Sequence, residues 1–549
     1  MTINFSRRIG FARFACILDS SPVLYLCSRF WVFAMAMQGA TLPKNRALVA
    51  RHAAFTALGM IEAGAYADAA LDRVMRQYGD LDGRDRRLVT ELVYGCTRQL
   101  RALDGWIDRL ATRSAQEQPP TLRNLLRLGL YQLIYLDRIP DSAAVDTTVE
   151  LAKFCGLKGL SGFVNGLLRG YLRQKAKNPN PLTSVAGLEP VERLAQTYSY
   201  PNWIVQTWLD RLGEAETEQL CQWFDQPPTI DLRVNTLVTD RETVMAALTA
   251  AGVAVTPIDH LPNALRLAAQ RGHGDDPLAE TIATEPDSRS ADAPDNGRAW
   301  IATLPGYGAG WWTVQDASAQ LVALLLDPQP GETVIDACAA PGGKTAHIAA
   351  LMQDQGQIWA IDRAGSRLRK VQDTVRRLGL RSIRMVEADS TGGKAPLVTA
   401  ARKRDRSRSK SGPISGLEEV PTQCDRLLLD VPCSGLGTLH RRADARWRQT
   451  PETVAQLVQI QRDLLDRADA WVRPGGVAVY ATCTVHEPEN GAIIRDFLQR
   501  HPHWAIEPPT PDSPLAPFVT AAGWLELWPH HWQMDGFFMV KLRRQPSDP

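Results

Sequence analysis

The sequence predicts three regions in series: an all-α bundle, a small α/β segment, and a doubly wound α/β domain on a parallel sheet. Three observations carry this. Apolar residues recur at spacings of three and four from Lys44 to about Lys177. From about Gln315, apolar runs alternate with helical stretches at strand–helix spacing. Between these regions lies one strand, helix, strand passage with a capping residue in place. A chain of 549 residues has room for two or three domains, and 44% hydrophobic with 22% charged residues is a globular composition.

Before the bundle, IGFARFACIL and SRFWVFAMAM form two apolar runs that follow Arg7 and Arg8. Arg13, Asp19 and Arg29 interrupt them, so neither reaches membrane-spanning length. Residues 1–43 are therefore expected to be an extension, disordered or preceding a true start at Met35 or Met37, rather than a targeting segment. Nine scattered cysteines do not make a disulfide scaffold, and no Cys/His spacing suggests zinc. A reducing, cytoplasmic setting with no metal and no membrane is expected.

The bundle, residues 44–178, should hold about six helices. RHAAFTALGMIEAG, RRLVTELVYGCTRQLRALDGWIDRL and TLRNLLRLGLYQLIYLDRI carry the helical period. Breaks are expected at Gly79 to Gly83, at Pro119 and Pro120, and at Pro140. Between Lys44 and Lys177 there are 21 Lys and Arg against 14 Asp and Glu, although the whole chain carries only +2. Such local basicity suits a region that touches nucleic acid, and suits a solvated helical surface equally.

Residues 179–312 are read as linker helices followed by the small α/β subdomain. IDLRVNTLV (Ile230 to Val238) reads as a strand, DRETVMAALTAAG as a helix capped by Asp240, and VAVTPI as a second strand. Residues 270–298, rich in Asp, Glu, Gly, Pro and Ser, read as an insertion.

Residues 313–549 form the third region. Its strands are ETVIDACAA, GQIWAIDR, SIRMVEAD, CDRLLLDVPC and GGVAVYATC, with a basic insertion at 402–416, RKRDRSRSKSGPISG. The first strand runs into DACAAPGGKT, Asp336 to Thr345, which opens a helix. Gly342 and Gly343 allow a tight turn and close approach of a ligand, with the helix N-terminus behind them. A phosphate loop would need glycine five residues before Gly343, and Cys338 stands there, so the nucleotide-triphosphatase reading fails. The second strand ends in Asp362, where a carboxylate can accept from ribose hydroxyls; the third ends at Asp389, suited to the adenine end. Each alone could be a helix cap. Together they favour a nucleoside cofactor.

The fourth strand ends in DVPCSGLGT, with Asp430 and Cys433, and the fifth in YATCTV, with Cys483. Ligands in such sheets lie across the carboxyl ends of the strands, so both thiols and Asp430 should converge beside the cofactor. Structural cysteines are mostly buried among apolar groups, whereas these two sit beside Pro, Ser and Thr. A thiolate adding to carbon-6 of cytosine makes carbon-5 able to attack a methyl sulfonium. An acid near ring nitrogen 3 is then required, which Asp430 can supply, and a second residue to assist release. Position alone does not rank the two cysteines. Lys344 can touch base or phosphate, or simply be solvated.

DACAAPGGKT, DVPCSGLGT and TCT, in this order on these strands, resemble the RNA cytosine-5 methyltransferases of the Nol1/Nop2/Sun type. VYGCTRQL, GLYQLIYLDRIP and FVNGLLR resemble the NusB-like front domain of the bacterial small-subunit ribosomal RNA branch, and with LRVN the likeness spans roughly Lys44 to Leu542. It implies a NusB-like bundle and a Rossmann-like class I methyltransferase domain. It further implies Cys483 as nucleophile and Cys433 as the residue assisting release. Cys338, Ala339, Ala340, Pro341, Gly342, Gly343, Lys344, Asp362, Asp389 and Asp430 would surround S-adenosylmethionine. DNA cytosine-5 methyltransferases attack with the Pro-Cys thiol, but their Glu-Asn-Val segment is absent here. The substrate implied is 16S ribosomal RNA, naked or in an early assembly intermediate; independently of the resemblance, a monomer is expected. Methylation of transfer RNA and a non-catalytic assembly role are the alternatives. The extension and the two insertions depart from the bacterial pattern and leave the RNA contacts open.

Overall fold

The computed structural model describes Pro43, residues 45–79, 81–177, 188–268, 299–391 and 414–546. The extension and both predicted insertions, apart from Pro43 and residues 414–416, lie outside the described residues. The chain divides into two compact units, one ending in the 178–187 region and one following it.

The first unit is helical: α1 (Arg46–Glu62), α2 (Ala67–Gln77), α3 (Gly83–Arg98), α4 (Leu100–Leu110), α5 (Pro120–Tyr135), α6 (Asp141–Phe154) and α7 (Ser161–Lys177). Breaks occur where the glycines and prolines predict them. Asn45 caps α1 by accepting from the Ala47 N–H, and Asp82 caps α3 by accepting from the Asp85 N–H. Pro120 occupies the first position of α5. Among the described residues the count is seven rather than about six, because the long run RRLVTELVYGCTRQLRALDGWIDRL turns at Gln99. Periodicity hides that turn: Leu92, Cys96, Leu103 and Ile107 are all buried on both sides of it. In the core, Arg127 pairs with Asp104 through two hydrogen bonds of 2.7 Å, a fork geometry that satisfies both buried charges.

The second unit opens with α8 (Pro190–Thr197) and α9 (Asn202–Phe224), the latter kinked at Gly213. A four-stranded antiparallel sheet follows, in order β2 (Val255–Ile258), β3 (Leu261–Leu267), β1 (Ile230–Val234), β4 (Trp312–Val314), covered by α10 (Arg241–Ala250). Two of these strands, β3 and β4, escaped the sequence reading, and β1 stops at Val234 instead of Val238. Asn235 turns the chain there, donating from its side-chain nitrogen to the Gly310 carbonyl at 2.9 Å. The sheet runs through to Val314, so its last strand pairs across a long stretch of sequence.

After a short α11 (Ala299–Thr303) come α12 (Ala317–Leu326) and a nine-stranded sheet. The five predicted strands are present: β5 (Thr333–Asp336), β6 (Gln357–Asp362), β7 (Ile383–Glu387), β9 (Cys424–Asp430) and β10 (Val472–Thr482). With β8 (Ile414–Ser415) they pair in parallel, in order β10, β9, β5, β6, β7, β8. Their runs are apolar throughout because both faces are covered. Val334, Leu428, Val479 and Ala481 pack on one side, and Ile335, Leu427, Leu429 and Tyr480 on the other. Helices α13 (Gly343–Leu351), α14 (Gly365–Leu378), α15 (Ala445–Arg448), α16 (Pro451–Trp471), α17 (Gly491–Arg500) and α18 (Pro529–Trp532) complete the domain. The parallel expectation needs one correction: the sheet is mixed. β13 (Phe537–Arg544) adds antiparallel to β10, and β11 (Trp504–Ile506) and β12 (Leu525–Leu527) add antiparallel to β13. Helix α17, strands β11 and β12 and helix α18 intervene between β10 and β13, so β13 reverses direction with no local hairpin signal in the sequence. Among the described residues no helix is long and apolar enough to cross a membrane.

Candidate active site

All the singled-out residues lie at or just beyond the carboxyl ends of β5, β6, β7, β9 and β10. The β5 loop turns at Gly342, whose φ of +102° is a conformation that side-chain-bearing residues rarely adopt. A Cβ at Gly342 would also lie 3.1 Å from the Val371 Cα. Behind the loop, Thr345 donates its hydroxyl to Asp336 at 2.6 Å. Burial pushes the Asp336 carboxyl up to about 7, and its second oxygen is buried without a hydrogen-bond partner.

Asp362 accepts from the Ala364 N–H at 3.0 Å and faces Arg367 at 3.1 Å. Arg367 also donates to the Ala340 carbonyl at 2.8 Å, which joins the β5 and β6 loops through one guanidinium. Asp389 accepts from the Thr391 N–H and hydroxyl at 2.9 and 2.7 Å, closing its own turn. The neighbouring Ser390 hydroxyl donates to the Ala337 carbonyl at 2.7 Å, so this loop too is tied to β5.

Lys344, left between base contact and solvation by its sequence, pairs with Asp430 at 2.8 Å and lies 5.0 Å from the Phe537 ring centroid. Burial is the largest influence and opposes its charge, but Asp430 together with Cys483 and Asp336 outweighs it and holds the ammonium above its ordinary range. The Cys433 and Cys483 sulfurs are 3.4 Å apart, and both are half-buried. Cys483 is drawn down below the ordinary thiol range, first by the Cys433 thiol beside it and then by Arg442 and Lys344, against burial. Cys433 is pushed up by the same contact and by burial, with Glu489 adding to it. Cys338, in the cofactor loop, is pushed well up by burial among Asp336, Asp430 and Asp362, and is therefore an inert thiol.

Several residues here stand outside the set of site residues that the sequence predicts. Arg233, from LRVN in β1, is buried against the β5 loop, its guanidinium 3.4 Å from the Gly343 carbonyl; burial pushes it down to about 9. Arg441 reaches Asp535 at 2.9 Å and also pairs with Asp316. Burial pushes Asp535 up to about 8. Glu489 and Asn490, fully buried after β10, bond to the segments that carry the two cysteines. Arg233, Arg441 and Glu489 bond to residues more than 50 positions away, which is why only the folded chain reveals them.

This arrangement can hold a nucleoside across β5 to β7 and present one acidic thiol, one thiol that keeps its proton, and a carboxylate–ammonium pair beside it. The comparisons with known proteins match family models along most of the chain. The family model described as 16S rRNA methyltransferase RsmB/F matches residues 323–543, the NusB family model matches 48–173, and the RsmF/B-like ferredoxin-like domain matches 200–272. A Synechocystis sp. protein named probable ribosomal RNA small subunit methyltransferase B is 44% identical over 480 residues, covering 87% of this chain and 95% of that one. A Bacillus subtilis protein of the same name is 33% identical, covering 88% and 95%. The solved structure of PH0851 shares the fold, with a TM-score of 0.67 at 23% identity over 91% of this chain and 100% of that one.

Proposed function

This chain belongs to the 16S rRNA methyltransferase RsmB/F family, and we propose that it methylates carbon-5 of a specific cytosine in small-subunit ribosomal RNA through a transient Cys483–cytosine bond. The observation that carries this reading is the pair of thiols 3.4 Å apart, one drawn down and one pushed up, beside the Lys344–Asp430 ion pair.

The residues at the ends of β5 to β7 fit S-adenosylmethionine. An unpartnered buried oxygen on Asp336, the glycine turn, and carboxylates at Asp362 and Asp389 supply the acceptors and the close backbone approach that a nucleoside amino acid requires. When bound, the cofactor supplies an electrophilic methyl group on a sulfonium. The chain's own residues do the rest. The Cys483 thiolate adds to carbon-6, and the electron pair displaced from the 5,6 double bond makes carbon-5 the attacking atom. The negative charge that develops at ring nitrogen 3 is neutralised by a proton that Asp430 delivers there, drawn in turn from the Lys344 ammonium hydrogen-bonded to it at 2.8 Å. After methylation the carbon-5 proton leaves to a base; its electron pair reforms the double bond and expels the Cys483 thiolate. Cys433, which keeps its proton, assists this release. The target base must be unstacked to reach the thiols, most cheaply from a loop. In the same reading the NusB-like front region contacts RNA and the enzyme works in the cytoplasm.

Bisulfite sequencing of ribosomal RNA from cells lacking the protein tests this. One protected cytosine in the small-subunit RNA should be lost, and restored only by protein with Cys483 intact. An unchanged ribosomal pattern with a lost transfer RNA cytosine would move the substrate to transfer RNA. No change in either RNA would favour the non-catalytic role.

A further inference from the structure

The two cysteines sit on separate loops, and nothing in either motif explains why their sulfurs are 3.4 Å apart. The loop after β9 is held from below. Gln461, from α16, donates to the Pro432 carbonyl at 2.8 Å, and Gln449 donates to the Ser434 carbonyl at 3.2 Å. The Glu489 carboxylate accepts from the Ser434 N–H at 2.8 Å, from the Gln461 amide at 3.0 Å, and from the Ser434 hydroxyl. His486 lies 3.5 Å from its other side. The Ser434 hydroxyl also meets the Thr484 hydroxyl at 2.8 Å, so the residue after Cys433 touches the residue after Cys483.

The next residue completes the arrangement. Asn490 accepts from the Thr482 hydroxyl at 2.6 Å and donates to the Thr484 carbonyl at 3.0 Å, gripping both neighbours of Cys483. Tyr480, farther back on β10, donates to the Glu489 carbonyl at 2.7 Å and anchors the pair itself. Glu489 and Asn490 are fully buried, and neither touches the cofactor loop in any of these bonds. A buried carboxylate taking three hydrogen bonds is stable only in that geometry, because an unmade bond there leaves a desolvated charge.

We propose that Glu489 and Asn490 form a two-residue clamp that sets the spacing of the thiols, Glu489 positioning Cys433 and Asn490 positioning Cys483. Both are positioning residues. The proposed consequences for turnover rest on the methyl-transfer reading above, but the spacing itself does not.

The spacing is tested first without turnover, by diamide, a diazene that takes two electrons and two protons from the thiol pair to leave a disulfide and a hydrazine. Rigidly held sulfurs react at a high effective concentration. The Cys433–Cys483 disulfide should form at least about ten-fold more slowly in Glu489→Ala and Asn490→Ala than in the wild-type chain. Ser434→Ala, which removes one hydroxyl and little volume, should slow it about three-fold, and the isosteric Glu489→Gln should restore most of the wild-type rate. Unchanged disulfide rates in folded Ser434→Ala and Asn490→Ala would overturn the clamp.

Turnover then separates the two arms. Glu489→Ala and Ser434→Ala should accumulate covalent protein–RNA adduct, because release is impaired. Asn490→Ala should lose activity without adduct, because addition is impaired, while KM for S-adenosylmethionine stays within about two-fold in all three. Parallel loss of activity with equal adduct in both arms would overturn the division of labour. If Cys433→Ala itself traps no adduct while the disulfide rates behave as expected, the methylation mechanism falls and the clamp stands.

Discussion

The thiols of Cys433 and Cys483, 3.4 Å apart, cannot both ionise cheaply, and the charges around them decide which one does. Arg442 and Lys344 act on Cys483, whereas Glu489 acts on Cys433. Alkylation of Cys483 should therefore rise with pH through a midpoint below the ~8.5 of a free thiol. Cys433→Ala and Lys344→Met should each move that midpoint up, the second because Asp430 would then stand uncompensated. Mass spectrometry of iodoacetamide-treated protein across pH 5 to 10 checks this, and a wild-type midpoint at the free-thiol value would refute the electrostatic account. In turnover, Cys483→Ala should lower methylation by at least about a thousand-fold while cofactor binding persists. Cys433→Ala should instead leave protein covalently attached to RNA, visible as a retarded band on a denaturing gel. Wild-type activity in Cys483→Ala would end the mechanism. The sequence could name both cysteines from their strand-end positions. It could not rank them, because the ranking depends on cations brought in from other loops.

At the scale of elements, the junction between β5 and α13 stores a pH dependence. Asp336 binds Thr345 across it, and burial raises its carboxyl from the ordinary acidic range to about 7. Between about pH 4 and 7 the unfolded chain releases this proton before the folded one does, so the contribution of Asp336 to stability falls as pH rises through that window. Asp336→Asn should lose stability relative to wild type at pH 5 and recover relative to it towards pH 7. The recovery should approach about 1.4 kcal/mol per pH unit. Thermal unfolding of both proteins at pH 5, 6 and 7 measures it; a constant difference would mean that Asp336 is not protonated. The loop after β9 supplies a second case. A Cβ on Gly437 would fall 2.0 Å from the Gly536 carbonyl oxygen, and Gly437 also donates to the Cys483 carbonyl at 3.1 Å. Gly437→Ala should cost about 1–3 kcal/mol in denaturant unfolding and reduce turnover, since the Cys433 loop would be forced off β13. In the sequence Gly437 is only the second glycine of DVPCSGLGT, with nothing to say what it packs against. Its role as a close-packing contact appears only when β13 is laid antiparallel beside β10.

At the scale of the whole molecule, the helical unit has a core of its own, built from residues such as Phe55, Leu92, Leu125 and Leu168. The other unit builds four further clusters around its two sheets and the α8–α9 pair. A fragment spanning residues 43–177 should accordingly unfold as one cooperative helical domain, followed by circular dichroism; a gradual loss of signal would mean that its core needs the rest of the chain. The α-bundle and the five parallel strands were legible in the sequence because each is a local period: 3.6 residues for a helix packed on one face, and short apolar runs for strands covered on both. The glycine turn and the strand-end carboxylates and thiols were legible for the same reason, since strand direction alone sends them to one edge of the sheet. What only the tertiary structure decided is everything made between distant segments. The strands β3, β4 and β13, the Lys344–Asp430 pair and the Glu489 grip on the Cys433 loop belong to that group. None has a period to read, because a hydrogen bond between residues 55 positions apart, such as that from Ser434 to Glu489, leaves no trace in the residues that lie between them.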